Sequence, residues 1–448
     1  MRRFVELEQT SPSIHRVKRV FTTDHPPVTN RVIVAPALKS DEEILQSVMV
    51  NGQWMSLRVF ENAPVTRRGP VAVSHNDIFW HGNPYNLGGY AKANREILMR
   101  IRNSVRVKLQ KHVHDSPDFI EESTSRILDL LQKSQVSDSA PYIRFLQPDV
   151  EVHERRYRIC WQMIETQKIH SEILNRLNAY YDETWIPTQW YADLYRREGV
   201  KIPIHVMPLG VNTHIFQPIR YQKMPTCPII SGPGYGKREV PWGFTYLYLF
   251  QYTFRKGVDV LLPAFERAFE KDKEACLVLG TTTHLYGLDE LLKLVKRVCK
   301  KTRVYLLSGD YTDRDLARFY NACDAYVCTS RGEGWNLPLC EAGACGKPAI
   351  VPRNTSHIDL VTNDTGYLFE PEGQMVSAEA SRITGWFDKM PFSHFGRKSH
   401  EQLVHLLGHV RQNYPEAADK GRRFMERIRS EFTWDRAANN VLARISQL

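Results

Sequence analysis

The segment DAYVCTSRGEGWNLPLCEAGACGKPAIVP, residues 324–352, has the pattern of a strand, a loop, a helix and a second strand. The apolar run at its start is typical of a short buried strand, and Pro338 suits the first turn of a helix. A strand, a helix and another strand in this order form the unit of a parallel α/β sheet. Such sheets bind ligands beyond the carboxyl ends of their strands, which is where Glu333 and Glu341 are expected.

The same rhythm extends on both sides of this segment, from residue 244 to about residue 428. Apolar strands alternate with longer helical patterns, which predicts a doubly wound, Rossmann-like domain. The expected strands are 245–250, 276–280, 303–307, 349–352 and 366–371, and the expected helices are 258–269, 287–300 and 313–321.

Another domain of the same class, which comes first in the chain, is predicted over residues 71–224. Its expected first strand is VAVS at 71–74, followed by a helix at 89–102. The further expected strands are 106–109, 142–146, 157–164, 183–188 and 204–211. A chain of 448 residues exceeds the usual size of one core, so two domains are the natural expectation.

Three further segments complete the predicted organisation. Residues 225–243 are rich in Pro and Gly, which favours an interdomain linker over a phosphate loop. Residues 429–448 form a closing helix that we expect to pack back on the N-terminal domain. Residues 1–70 are an extension in which Asn51-Gly52 predicts a β-hairpin. This hairpin either shapes an acceptor site or caps a sheet edge.

Composition excludes several classes of protein. The eight cysteines include no C-x-x-C pair, so disulfide and metal frameworks are both poorly supported, and no metal is predicted. The start MRRFVELEQT lacks an apolar segment, and no run of about eighteen apolar residues occurs, so neither a signal peptide nor a membrane span is expected. We therefore expect a cytoplasmic protein, with peripheral membrane contact left open.

The net charge of +10 raises the question of a polyanionic partner. Residues 1–220 hold 29 Lys or Arg and 24 Asp or Glu, a net of +5, which leaves +5 for the remaining 228 residues. Because the excess of basic residues is spread evenly along the chain, the net charge alone does not indicate a particular partner. One local run is more basic, and it either meets phosphates of DNA or lipid, or forms a solvated helix face. It consists of Lys92, Arg95, Arg100, Arg102, Arg106, Lys108 and Lys111, against the single acid Glu96.

The two glutamates of the opening segment suit a nucleotide sugar. A carboxylate in the helix, Glu341, can accept two hydrogen bonds from ribose hydroxyls, while Glu333 and backbone N–H groups of the loop address the sugar ring. An acid near a helix start is also favoured simply by the helix dipole.

The region resembles the E-x7-E segment of retaining glycosyltransferases of the GT-B fold, the family-four group. The matching residues are Glu333, Gly334, Leu337, Pro338, Glu341, Ala342, Gly346 and Pro348. Segments 182–200, 206–218, 254–269 and 432–438 are similar to other parts of that family, in the same order. The resemblance covers about residues 71–448 and implies two Rossmann-like domains facing across a cleft.

The resemblance also implies a role for each matching residue. Glu333 would face the transferred sugar and Glu341 the ribose, and Lys256 with Arg255 would bind the donor diphosphate. Further donor contacts would come from Gly88, Gly89, Gly334, Asn336 and Leu337. Many relatives carry a His where this chain has Glu165, so Glu165 is a second candidate catalytic residue. Lys92 and Arg95 are candidates for the acceptor side.

The implied reaction is transfer from a UDP- or GDP-sugar with retention of anomeric configuration and no cofactor. Front-face attack and a covalent intermediate both remain open. The expected acceptor is a saccharide or glycoconjugate, with modified DNA as the alternative. A glycoside hydrolase, a nucleotide-sugar epimerase and a non-catalytic polyanion-binding protein remain competing hypotheses.

Overall fold

The computed structural model describes most of the chain. It covers residues 73–86, 88–111, 120–148, 156–219, 243–281, 287–377, 387 and 389–448 in full, and the backbone of seven strands outside these ranges. The chain forms two compact units. The first consists of Met1–Arg67 and Ala378–Lys389, and the second of Arg68–Ser377 and Met390–Leu448.

The first unit contains two small antiparallel sheets. Strands β1 (Arg2–Ser11), β2 (Ile14–Thr23) and β3 (Val32–Val34) are arranged in the order β2-β1-β3. Strands β4 (Val48–Val50) and β5 (Gln53–Met55) pair antiparallel, with Val50 opposite Gln53. Asn51 and Gly52, where the sequence predicts a hairpin turn, lie between these strands and outside the described residues.

The second unit begins with a fully parallel sheet of six strands in the order β11-β10-β9-β8-β6-β7. Its strands are β6 (Asp77–Gly82), β7 (Arg106–Lys111), β8 (Tyr142–Phe145), β9 (Arg158–Trp161), β10 (Glu183–Ile186) and β11 (Ile204–Val206). The helices along this part of the chain are α1 (Gly89–Ile101), α2 (Glu122–Lys133), α3 (Ser171–Tyr180) and α4 (Gln189–Glu198).

The first strand of this sheet differs from the prediction. Residues 71–74 were expected to form it, but the strand is Asp77–Gly82. Two of its residues, Asp77 and His81, are polar and buried, so hydropathy alone does not reveal the strand. Asp77 tolerates burial because its carboxylate accepts hydrogen bonds from Arg106 Nε at 2.7 Å and from Ser137 N at 3.1 Å.

Large aromatic side chains from four strands fill the core of the first sheet. The rings of Phe145 and Trp161 stack with their centroids 4.4 Å apart. Trp80 and Trp185 meet Trp161 edge to face at 6.3 and 5.4 Å. All four side chains are fully buried, so they supply much of the apolar area that stabilises this domain.

The second sheet has eight strands in the order β13-β12-β16-β15-β14-β17-β18-β19. Its parallel part comprises β14 (Thr245–Leu249), β15 (Cys276–Thr281), β16 (Arg303–Ser308), β17 (Ala325–Val327), β18 (Ala349–Pro352) and β19 (Tyr367–Phe369). The helices along it are α5 (Val258–Phe269), α6 (Leu288–Val298), α7 (Asp313–Ala322), α8 (Leu337–Ala344) and α9 (His357–Leu360). Strands β20 (Gln374–Val376) and β21 (Pro391–Ser393) pair separately.

The Pro- and Gly-rich segment at 225–243 is more than a connection. It contributes strands β12 (Cys227–Ser231) and β13 (Gly236–Arg238), and β12 pairs antiparallel with β16 at the edge of the second sheet. Strand β13 pairs antiparallel with the other side of β12 and is the outermost strand of the sheet. Most of the Gly-Pro-Gly-Tyr-Gly stretch lies outside the described residues.

Three helices close the chain: α10 (Arg397–Gln412), α11 (Tyr414–Glu431) and α12 (Trp434–Ile445). The last one lies against the first sheet, where Arg444 Nη2 contacts Glu183 Oε2 at 2.6 Å. Glu183 lies on β10 and is fully buried, and its carboxylate also accepts hydrogen bonds from Trp185 Nε1 at 2.7 Å and Tyr157 OH at 3.1 Å. This contact therefore fastens the closing helix to the N-terminal domain.

Replacing Arg444 by Met is expected to lower the free energy of unfolding by about 3 kcal/mol, because removing one partner of a buried ion pair leaves an uncompensated charge. Urea denaturation followed by circular dichroism measures this change. Arg422, whose ion pairs with Asp419 and Glu426 are exposed, provides the control. An equal effect of R444M and R422M would show that Glu183 does not depend on Arg444.

Candidate functional site

The loop that carries Glu333 is fixed at its end by Asn336. This residue caps α8 with a left-handed backbone, φ 85°, and its side-chain oxygen accepts a hydrogen bond from Leu339 N at 3.2 Å. Its side-chain amide lies 2.9 Å from His357 Nε2. Burial lowers the pKa of His357 to about 4, so the imidazole is neutral and can accept this hydrogen bond. Leu337 and Pro338 then start the helix that carries Glu341.

The two glycines that flank Glu333 allow the loop to contact the first domain, the N-terminal one that contains the six-stranded parallel sheet. A Cβ atom on Gly332 would lie 1.9 Å from the carbonyl oxygen of Glu165, and one on Gly334 would lie 2.7 Å from Met163 Cβ. Neither position has room for a larger residue. Gly334, expected as a donor contact, therefore has a demonstrable packing role against the residues that follow β9.

The turn that carries Arg255 and Lys256 lies directly beside this loop. It is a single 3₁₀ turn, Phe254–Lys256, and ends at Gly257, which has a left-handed backbone with φ 64°. Arg331 N donates to Arg255 O at 2.7 Å, and Thr329 Oγ1 donates to Gly257 O at 2.9 Å. The turn and the loop thus form one hydrogen-bonded surface beyond the carboxyl ends of β14 and β17.

Glu333 is the centre of a compact charged cluster on this surface. Lys256 Nζ lies 2.5 Å from its Oε1, and Arg255 Nη1 lies 2.8 Å from its Oε2. Arg255 Nη2 also lies 3.6 Å from Glu165 Oε1, which belongs to the first domain. The structure thus brings together four of the predicted site residues, Arg255, Lys256, Glu333 and Glu165.

The protonation of this cluster follows from burial and charge. Burial by itself raises the pKa of Glu333, but the charges of Arg255 and Lys256 outweigh it and hold the pKa below its usual value. Burial raises the pKa of Glu165, and the attraction of Arg255 offsets only part of this effect. Glu333 is therefore a firmly ionised carboxylate, whereas Glu165 is the better proton carrier of the two.

Arg331 is a site residue that the sequence analysis missed. Its guanidinium pairs with Asp259 through two bonds of 2.9 and 2.7 Å, and it also donates to Phe254 O at 2.8 Å. Its Cζ lies 4.2 Å from the centroid of the Phe254 ring. Arg331 thereby holds the Lys256 turn to the Glu333 loop. Its partners lie more than seventy positions earlier in the chain, so no local sequence pattern indicates these contacts.

Glu341 has a separate set of partners. Its Oε1 lies 2.6 Å from Lys92 Nζ, and its Oε2 accepts a hydrogen bond from Tyr320 OH at 2.9 Å. Lys92 also pairs with Asp313 at 2.7 Å. Burial raises the pKa of Glu341, and Lys92 counteracts this shift. Lys92, expected on the acceptor side, thus lies at the second glutamate of the E-x7-E segment.

The predicted glycine pair lies close to the same helix start. Gly88 caps α1, and a Cβ on Gly89 would lie 3.6 Å from Leu337 Cδ1. The first turns of α1 and α8 therefore face each other across the two domains.

Most of the expected basic face is occupied by partners within the protein. Arg95, the other expected acceptor residue, donates through Nη1 to Pro84 O at 2.7 Å and Asn86 O at 2.6 Å. Ion pairs join Arg100 to Glu96 and Arg106 to Asp77, and Lys108 donates to a backbone carbonyl. Arg102 and Lys111 are exposed. The run therefore presents far less free positive charge than its sequence suggests.

Neither a metal centre nor a membrane-spanning helix is found among the described residues. In that part of the chain no cluster of three or more His, Cys, Asp or Glu could hold a metal ion. Within the same limits, every helix is too short or too polar to cross a bilayer. The seven cysteines with described side chains are buried, and none of them forms a disulfide.

Comparison with known proteins agrees with this architecture. Residues 243–384 match the family model of the group 1 glycosyl transferases. The structure of Anabaena HepE in complex with UDP and glucose superposes with a TM-score of 0.60 at 15% identity, covering 84% of this chain and 100% of HepE. The fold is GT-B.

Curated relatives of this GT-B protein match parts of it. A probable sucrose-phosphate synthase of Thermosipho melanesiensis is 23% identical over 266 residues, 57% of this chain and 50% of the relative. The O-antigen chain mannosyltransferase B of Escherichia coli is 28% identical over 148 residues, 33% of this chain and 38% of the relative. The chain thus spans about half the length of the first of these relatives, and less of the second.

Proposed function

We propose that this GT-B protein is a glycosyltransferase that moves a sugar from a nucleoside-diphosphate sugar, a UDP- or GDP-sugar, to a saccharide or glycoconjugate acceptor with retention of anomeric configuration. The observation that carries the proposal is the adjacency of the Lys256 turn and the Glu333 loop at the carboxyl ends of β14 and β17. Ligands of doubly wound sheets bind at this edge.

Each member of the cluster has a role in this proposal. Lys256 and Arg255 bind the diphosphate, because two cations on one short turn, with side chains only 12% and 13% exposed, match the charge of two linked phosphates. When the phosphates take these cations, Glu333 is released from its ion pairs and can accept hydrogen bonds from hydroxyls of the sugar. Glu341 accepts hydrogen bonds from the ribose.

The reaction exchanges one bond at the anomeric carbon for another. The bond to the β-phosphate oxygen breaks, and its electron pair stays on the leaving diphosphate. The hydroxyl oxygen of the acceptor forms the new bond to that carbon, and its proton ends on the leaving diphosphate. Lys256 and Arg255 stabilise the negative charge that develops on the leaving group. Positioning and electrostatics therefore supply most of the proposed rate enhancement.

Glu165 completes the site from the side of the first domain. Its carboxyl lies near Arg255, and its raised pKa suits a group that accepts or donates a proton. We assign it to the transferred sugar, either as a hydrogen-bond partner or as a stabiliser of positive charge at the anomeric carbon. Gly88, Gly89, Asn336 and Leu337 would place backbone N–H groups near the donor.

The relatives support this class of reaction. Both curated relatives are named as sugar-transferring enzymes, and the HepE structure contains UDP and glucose. The internal pairing of the basic run removes the main argument for a DNA or lipid acceptor, so we favour a saccharide. The competing glycoside hydrolase hypothesis does not explain the two cations, Arg255 and Lys256, because a glycoside carries no diphosphate.

A donor screen tests the proposal. The full chain is incubated with a panel of UDP- and GDP-sugars and a set of saccharide acceptors, and nucleotide release and acceptor mass are measured. We expect one donor to release its nucleotide and add one sugar residue to an acceptor. The one-bond C1–H1 coupling constant of the product, from NMR, then reports retention. Absence of nucleotide release from every donor would overturn the proposal.

A further inference from the structure

The contact between Lys92 and Glu341 joins the two domains at the proposed nucleoside site. Lys92 lies in the first turn of α1, whereas Glu341 lies in α8 and Asp313 at the start of α7. The Lys92 ammonium lies 2.6 Å from Glu341 and 2.7 Å from Asp313, and 4.7 Å from the centroid of the Phe216 ring. The side chains of Lys92 and Glu341 are only 12% and 4% exposed, so water contributes little to their solvation.

The partners of Glu341 leave part of its carboxylate available. Lys92 uses one lone pair of Oε1, and the Tyr320 hydroxyl uses one lone pair of Oε2. Each carboxylate oxygen has two acceptor positions. One position therefore remains on each oxygen, which is the number that two neighbouring ribose hydroxyls need.

We infer that Lys92 is a positioning residue for the nucleoside half of the donor, because its ion pair holds the Glu341 carboxylate in place from the opposite domain. The inference rests on the proposed function, in which Glu341 binds the ribose. Lys92 is thereby reassigned from the acceptor side to the donor side.

The charges around Glu341 give this role a measurable consequence. Burial favours the neutral carboxyl and Asp313 adds repulsion, whereas Lys92 supplies the opposing positive charge. Burial keeps the tyrosines and cysteines in this neighbourhood neutral between pH 6 and pH 8, since it raises their pKa values. The titratable groups that interact electrostatically with Glu341 are Lys92, Asp313, Tyr320, Tyr326, Cys340 and Cys345.

The sign of the pH effect follows directly. The ionised carboxylate is the better acceptor for ribose hydroxyls, so nucleotide binding through Glu341 is complete above its pKa and is lost as the pH falls through it. Without Lys92 the pKa of Glu341 rises further, and the loss begins at a higher pH. Without the charge of Asp313 the pKa falls, and the loss begins at a lower pH.

Calorimetric titration with UDP and with GDP tests this inference on the full chain at pH 8 and pH 6. The K92M variant is expected to weaken binding about tenfold at pH 8, the value of one charge-assisted hydrogen bond, and to weaken it further at pH 6. K92R should restore most of the affinity. D313N should bind at pH 6 at least as well as the wild type. Ratios to the wild type at each pH cancel the titration of the diphosphate itself.

The outcomes separate this inference from the proposed function. K301M removes an exposed ion pair with Glu270 and serves as the matched control, which should bind as the wild type does. If K92M binds nucleotide as the wild type does at both pH values, the role of Lys92 is refuted while the proposed function stands. If K92M does not fold, weaker binding by D313N at pH 6 refutes it. A wild type that binds neither nucleotide refutes both.

Discussion

Replacing Lys256 by Met is expected to lower kcat/KM about a thousandfold, the upper range for loss of one preorganised group that stabilises developing charge. The Lys256 ammonium is held in place by the 3₁₀ turn, and the side chain is only 12% exposed. Water therefore cannot stabilise the phosphate charge as well as this ammonium does. Both binding and chemistry should suffer, because the diphosphate carries negative charge before and after the glycosidic bond breaks. Steady-state kinetics with the donor that the wild type turns over measures the effect, and calorimetry with the free nucleotide measures binding.

The fold of the K256M variant should persist. Glu333 keeps its 2.8 Å contact with Arg255, so no carboxylate is left without a cation. A melting temperature equal to that of the wild type checks this point. K301M again provides the comparison, since it removes an exposed lysine from the same domain. Turnover of K256M within tenfold of the wild type would place the diphosphate away from this turn.

The sequence predicts the parallel part of the second sheet well because its strands are largely buried. Such strands appear as continuous apolar runs, and 245–250 and 276–280 agree with β14 and β15 within a residue. The start of the first sheet is harder to predict. Its first strand combines buried Ile78 and Trp80 with polar Asp77 and His81, whose partners come from other strands and loops. Local hydropathy therefore favours the wrong segment.

The same distinction applies to the site. The E-x7-E spacing lies within one strand, loop and helix, so Glu333 and Glu341 can be found from sequence. Lys92 and Arg331 meet their partners across 249 and 72 positions of the chain, and single-sequence patterns carry no information about such contacts. The basic run shows the converse error, because a count of charges does not reveal that Arg100 and Arg106 are already paired.

Glu333→Gln is expected to separate binding from turnover. The change keeps the shape of the side chain but removes the charge that neutralises Lys256 and Arg255 in the donor-free protein. Free nucleotide should therefore bind at least as tightly as it does to the wild type, because the diphosphate no longer competes with a carboxylate for these cations. Sugar transfer should fall at least about a hundredfold, since a neutral amide is a weaker acceptor and cannot stabilise an oxocarbenium-like transition state.

Opposite signs in the two measurements make this the sharpest test of the cluster. A purely structural ion pair would weaken both binding and transfer when broken, in proportion to the loss of folded protein. Calorimetry with UDP or GDP and a product assay on the same preparation distinguish the two cases, and E270Q, an exposed glutamate paired with Lys301, is the matched control. Transfer at the wild-type rate by E333Q would remove Glu333 from the chemistry. Weaker nucleotide binding would mean that Lys256 and Arg255 need Glu333 to hold them, so the carboxylate would organise the diphosphate site and not compete with it.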